Sequence, residues 1–210
     1  MSTVPTQISS GKFIVIEGVD GAGTTTQTSR LVEALAASGR PAYATREPSD
    51  GPIGAELRAI LRGAHAPVDK AAIGLLFAAD RLDHLAREIR PRLAEGIHVV
   101  SDRYVMSSLA YQTVDVPRAD VLAWNARAMP ADLTLFIEVP AAVAAERRRL
   151  RGGPEELFDA LSFQEQVASA YRREADRAVA EGERVVVIDG SPSPDVVFAA
   201  LWTEMERVLS

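Results

Sequence analysis

Cysteine is absent from the 210 residues, which excludes disulfides, thiolate metal sites and cysteine nucleophiles and gives no sign of an oxidising compartment. Lysine is nearly absent as well. Lys12 and Lys70 are the only two, so arginine carries almost all the positive charge. No uncharged apolar run is long enough to span a bilayer, and the opening MSTVPTQISSG lacks the apolar segment of an export signal. A soluble, cytoplasmic protein with no membrane partner is expected. There is no basic excess either: the net charge is −6, which argues against nucleic acid as a partner, because binding a long polyanion relies on a basic surface that releases counterions. With no repeat or low-complexity linker, the chain is read as a disordered tail over 1–11 and a single domain over 12–210.

Short β-rich runs alternate with helical stretches: FIVIE (13–17), AYAT (42–45), HVVS (98–101), LTLFIEV (133–139) and RVVVID (184–189). This alternation predicts five parallel strands covered by helices on both faces, an α/β sandwich of three layers. The clearest helical spacing runs over 69–95, where Leu75, Leu82, Leu85, Ile89 and Leu93 form one stripe at a 3.6 period.

Residues 18–25, GVDGAGTT, fit the pattern G-x-x-x-x-G-K-[ST] at Gly18, Gly23 and Thr25, with Thr24 in place of the lysine. The strand before it and the helix after it suit a phosphate site. Glycines let successive N–H groups turn inward, and the helix start adds partial positive charge. A dinucleotide loop does not fit, because G-x-G-x-x-G starting at Gly21 would need glycine where Thr26 stands. A glycine-rich turn without a ligand remains an alternative.

Six segments, FIVIEGVDGAGTTTQ, TREPSDGPIG, LLFAADRLDH, SDRYVMSSLAYQ, ADLTLFIEVP and IDGSPS, resemble the thymidylate kinases in order and spacing over nearly the whole chain. The resemblance implies a P-loop fold of strand order 2-3-1-4-5, a homodimer, and transfer of phosphate from ATP to dTMP with Mg²⁺. It places ATP on Gly18, Asp20, Gly21, Ala22, Gly23, Thr24, Thr25 and Thr26, with Asp20 also accepting from the 3′-hydroxyl of dTMP. Arg46 is expected to grip the dTMP phosphate, as a planar guanidinium fork suits two phosphate oxygens. Phe77 is expected to stack on thymine and Arg81, four residues on and so on the same helical face, to reach its exocyclic oxygen. Ser108 and Gln112 are implied at the thymine edge and Tyr111 against a 2′-hydroxyl. Asp102 and Thr25 are implied at the metal, and Arg103 at the phosphates being joined. Each has a plainer alternative: a surface arginine at 46, a packing phenylalanine at 77, a helix-capping aspartate at 102.

The chain departs from the family pattern at Thr24, at Met106 where aspartate is frequent after DRY, at Leu157 where the lid often carries arginine, and in TVDVPRADV. Threonine keeps a hydroxyl but no charge, so another cation must approach the β- and γ-phosphates if turnover is to be high. The ERRRLR run (146–151) is the obvious supply, and Arg147 and Arg151 are taken as the pair on one helical face, in a lid over about 147–158. Rival functions for the same residues are a feeble homologue that binds thymidine nucleotide as a sensor, and a kinase for another deoxynucleotide.

Overall fold

The computed structural model describes residues 10–152, Phe158 and 160–210. Within that range the chain runs β1 (Phe13–Glu17), α1 (Thr24–Ala37), β2 (Ala42–Arg46), α2 (Pro52–Leu61), α3 (Lys70–His84), a π-helical turn (Leu85–Ile89) and α4 (Arg90–Ala94). It continues through β3 (His98–Asp102), α5 (Val105–Tyr111), a 3₁₀ turn (Gln112–Val114), α6 (Arg118–Asn125) and β4 (Leu133–Glu138). The last elements are α7 (Ala141–Arg151), α8 (Leu161–Ala180), β5 (Val185–Asp189) and α9 (Pro194–Leu209).

All strand pairs are parallel, as the alternating sequence predicts, and their order, β2-β3-β1-β4-β5, is the one the family resemblance implies. β1 is central and buried at every residue, which is why it reads as a continuous apolar run rather than an alternating one. Its side chains still divide by face: Phe13 and Val15 pack with Leu85, Ile89 and Val99, and Ile14 and Ile16 with Leu31 and Leu35. The carboxyl ends of β1, β2 and β3 present Glu17, Arg46 and Asp102 at one edge, the edge where open parallel sheets bind ligands.

The leucine stripe does not form one core face. Leu75 is 49% exposed, and α3 instead buries Ile73, Gly74, Ala78, Asp80, Arg81 and His84. Leu85, in step with buried Ala78 and Arg81, and Ile89 are buried in the π-helical turn that follows. Pro91, which has no N–H to donate, sits just after that turn. Gly74 lets α6 approach closely, since a Cβ there would lie 2.6 Å from the Trp124 ring.

Residues 1–9 of the expected tail lie outside the described residues, whereas Gly11 is buried and donates its N–H to the Leu93 carbonyl at 2.8 Å. The expected lid is described only up to Gly152 and at Phe158, and Leu157 lies outside the described residues. Among the described residues no helix is long and apolar enough to cross a membrane.

Candidate active site

The loop between β1 and α1 turns through Gly21 and Gly23, both at positive φ (89° and 95°). Gly21 is also where α7 docks. A Cβ there would meet the Ala144 carbonyl oxygen at 2.3 Å, so glycine permits both the turn and the contact. Thr24 opens α1 with its side chain buried, its methyl turned towards Gly18. Thr25 and Thr26 are exposed at the start of the helix.

Docking on Gly21 decides which arginines reach the loop. Ala144, Arg148 and Arg151 stand at i, i+4 and i+7 and share the face turned to it. Arg148 donates to the Asp20 carbonyl at 2.7 Å, and its Nε lies 3.9 Å from the Asp20 carboxylate. Arg151 meets the same carboxylate at 3.2 Å. Arg147, expected beside Arg151, points elsewhere and donates to the Gly190 carbonyl at 3.0 Å, in the loop after β5. Arg148 was the member of the cluster that spacing did not single out; the small Ala144 one turn before it was the available signal.

At the neighbouring strand end, the Thr25 hydroxyl donates to Asp102 Oδ2 at 2.5 Å. Asp102 Oδ1 is buried with no hydrogen-bond partner among the described residues, which is costly unless something else satisfies it. Two hard oxygens beside a phosphate loop fit Mg²⁺, which is held by one or two protein oxygens, substrate phosphates and water. Among the described residues there is no cluster of three or more His, Cys, Asp or Glu able to hold a metal.

Arg103, the next residue, has φ +75°, a left-handed conformation that costs free energy in a non-glycine residue. Its N–H donates to the Ile16 carbonyl at 2.8 Å, and its own carbonyl accepts from Ser101 Oγ at 2.8 Å, so neighbouring backbone and side chain over-determine it. The guanidinium donates to the Gly18 carbonyl at 3.1 Å and lies over the Tyr111 ring at 5.3 Å. Burial opposes its charge, but Tyr111, Tyr171, Asp102 and Asp20 together raise its pKa well above the ordinary arginine value. Beneath it, fully buried Glu17 accepts from Tyr104 N (2.8 Å), Ser107 N (3.1 Å), Ser107 Oγ (2.6 Å) and the Tyr171 hydroxyl (3.0 Å). Burial still pushes the Glu17 carboxyl up from its usual range. The carboxylate satisfies orphan N–H groups at the start of α5, the helix that carries Ser108 and Tyr111.

A cavity of 340 Å³ opens beside this loop, and Asp20, Phe77, Arg81, Arg103, Ser108, Tyr111, Gln112 and Arg151 all line it. The structure therefore brings together eight of the residues singled out in the sequence. Arg46 is not among them: it is exposed and paired with Asp50 at 2.9 Å. Tyr111 joins the two halves, its hydroxyl accepting from Asp20 N–H at 3.1 Å.

Arg81 is 1% exposed and every guanidinium nitrogen is engaged. Nε and Nη2 grip Glu47 Oε2 at 2.8 and 2.6 Å, Nη2 also donates to the Tyr104 carbonyl at 3.0 Å, and Nη1 donates to Ser108 Oγ at 3.1 Å and to Asn125 Oδ1. Glu47, Asn125, Tyr104 and a buried Gln164 complete the setting, and sequence reasoning assigned none of them a role. Such buried polar residues leave no periodic trace in a sequence.

A five-stranded parallel sheet of this order, a phosphate loop and a base-sized cavity beside it define a P-loop kinase of the nucleoside monophosphate type. The thymidylate kinase family profile matches residues 16–201. A probable thymidylate kinase of Pyrobaculum aerophilum is 42% identical over 199 residues, covering 94% of this chain and 97% of its own. The thymidylate kinase of Solidesulfovibrio magneticus is 38% identical over 211 residues (94% and 100% covered), and that of Thiobacillus denitrificans 41% over 197 (91% and 94%). The chain belongs to the thymidylate kinase family.

Proposed function

We propose that the protein transfers the γ-phosphate of ATP to dTMP, giving ADP and dTDP, with Mg²⁺ held at Thr25 and Asp102. The observation that carries this reading is that Arg103, next in the chain to the Thr25–Asp102 pair, lines the cavity bearing Phe77, Arg81, Ser108 and Gln112. A phosphate oxygen of dTMP attacks the γ-phosphorus; the new P–O bond forms as the bond to the β-phosphate oxygen breaks and ADP leaves. That oxygen is already largely ionised near neutral pH, with a phosphate second pKa of about 6, so no general base is needed. Catalysis then rests on alignment and charge. Mg²⁺ supplies charge neutralisation and alignment of the ATP phosphates when bound.

For the base, Phe77 offers a flat face. Ser108 accepts from Arg81 and keeps its own proton to donate to a thymine oxygen, and Gln112 Oε1, buried with no partner among the described residues, suits the thymine imide N–H. Tyr111 closes the sugar side. Arg103, at the mouth between cavity and loop, and Arg46, by leaving Asp50, serve the dTMP phosphate. Arg148 and Arg151 take over the charge that Thr24 lacks, and Arg147 braces the loop after β5, which carries the adenine. The enzyme works in the cytoplasm as a homodimer, for which exposed Leu75 and half-buried Leu82, two helical turns apart on α3, offer an apolar contact.

The test is to mix protein, ATP, Mg²⁺ and dTMP and follow ADP and dTDP, with Thr24→Lys alongside. Turnover by the natural protein, little raised by lysine, is expected. Binding of dTMP without dTDP formation would instead mark a nucleotide-binding homologue.

A further inference from the structure

Behind Arg81 lies a second buried group that the reaction as described does not use. His84, one helical turn on, is 2% exposed, and its ring bridges two carboxylates. Nε2 lies 2.7 Å from Thr45 Oγ1, and the single Thr45 hydroxyl proton is directed to Glu88 Oε1 at 2.6 Å. Thr45 therefore accepts from His84, and Nε2 carries a proton. Nδ1 faces Glu47 Oε1 at 3.4 Å, and a carboxylate only accepts. Both ring nitrogens thus face acceptors, an arrangement satisfied only by the doubly protonated imidazolium.

Glu47 is the shared element. Its Oε2 holds Arg81 and its Oε1 faces His84, so one buried carboxylate is balanced by two cations. We propose that His84 is a positioning residue for nucleotide recognition: as an imidazolium it locks Glu47, and Glu47 holds the Arg81 guanidinium against Ser108 and Asn125 where the base is read. This rests on the dTMP reading of that cavity.

The surroundings support the assignment. His84 also lines a second cavity of 190 Å³, with Asp50, Asp83, Arg87, Glu88 and Arg92, which shares no lining residue with the nucleotide cavity. Asp80, from the same helix, adds a further negative charge and is itself fixed on Ser49 N and Oγ at 2.7 and 2.6 Å. Burial works against the imidazolium, but Glu47, Glu88 and Asp80 outweigh it and raise the His84 pKa above the ordinary histidine value. Loss of the Nδ1 proton would set two lone pairs against each other at Glu47 Oε1 and loosen the grip on Arg81.

The experiment measures dTMP dissociation constants by calorimetry for the natural protein and His84→Gln between about pH 5.5 and 8.5. Taking the ratio of variant to natural protein removes the ionisation of dTMP itself. The ratio is expected to be about tenfold at the acid end, the scale of one hydrogen bond to a charged group, and to fall towards one as pH rises through the His84 titration. Turnover at saturating dTMP should change by less than about twofold, since His84 touches no reacting atom. A ratio near one at every pH, with dTMP bound tightly, would overturn the proposal alone; no dTMP binding by the natural protein would overturn the substrate reading with it. Should the variant not fold, nitrogen NMR of the natural protein decides: both His84 ring nitrogens protonated at neutral pH, and a pKa that rises when dTMP binds, are required by linkage. A neutral ring, or one indifferent to dTMP, refutes it.

Discussion

Arg148 donates to the Asp20 carbonyl at 2.7 Å, placing a guanidinium from α7 on the phosphate loop whose lysine position holds Thr24. The link exists because Ala144, one turn earlier, packs its backbone against Gly21. Arg148→Ala is therefore expected to lower kcat by roughly 10²- to 10³-fold, the cost of removing one aimed charge or donor. Arg147→Ala should act mainly on KM for ATP. Steady-state kinetics on the two variants check this, and equal effects would contradict the facial assignment.

Gly21→Ala tests the docking itself. The new methyl would sit 2.3 Å from the Ala144 carbonyl oxygen at a backbone φ of +89°, so loop and helix cannot both keep their places. Near-complete loss of phosphoryl transfer is expected, with the sheet intact by circular dichroism.

Asp102→Asn keeps the size of the side chain but replaces a charged oxygen next to Thr25. Activity should fall by about two orders of magnitude, and the Mg²⁺ concentration for half-maximal rate should rise. Titration of rate against Mg²⁺ reads both effects.

Asn125→Ala removes one acceptor from the buried Arg81 guanidinium and leaves Ser108, Glu47 and Tyr104 in place. Leaving a buried charged donor short of a partner costs about 1–3 kcal/mol. The expected result is a rise of about tenfold in KM for dTMP with kcat little altered, measured at saturating ATP.

His84 also predicts a pH dependence of stability. Its folded pKa lies above the ordinary 6.5, so the stabilisation is fully present below that value and is lost as pH rises through the folded pKa. Melting temperatures of the natural protein and His84→Gln should therefore differ most in acid and converge in base. A constant difference would mean that only packing was lost.

Much of this was legible in the sequence. FIVIE, HVVS and LTLFIEV announce buried parallel strands because both faces of such strands are covered, and GVDGAGTT announces a phosphate loop because its glycines permit the turn. Phe77, Arg81, Ser108, Tyr111 and Gln112, which the family resemblance singled out, all line the 340 Å³ cavity. Helical spacing misled in two places. It chose Arg147 where packing of Ala144 on Gly21 turns Arg148 inward, and it drew a leucine stripe through α3 that buried Asp80, Arg81 and His84 displace.

The sequence by itself determined the order of strands and helices, the phosphate loop and the residue types beside it, because these depend on local pattern and short spacing. Only the tertiary structure decided which arginine meets the loop, that Asn125 and Glu47 hold Arg81, and that His84 stands between Glu47 and Thr45. Those contacts join residues from different elements, and burial makes each unpaired charge costly enough that its partner is chosen by packing rather than by place in the chain.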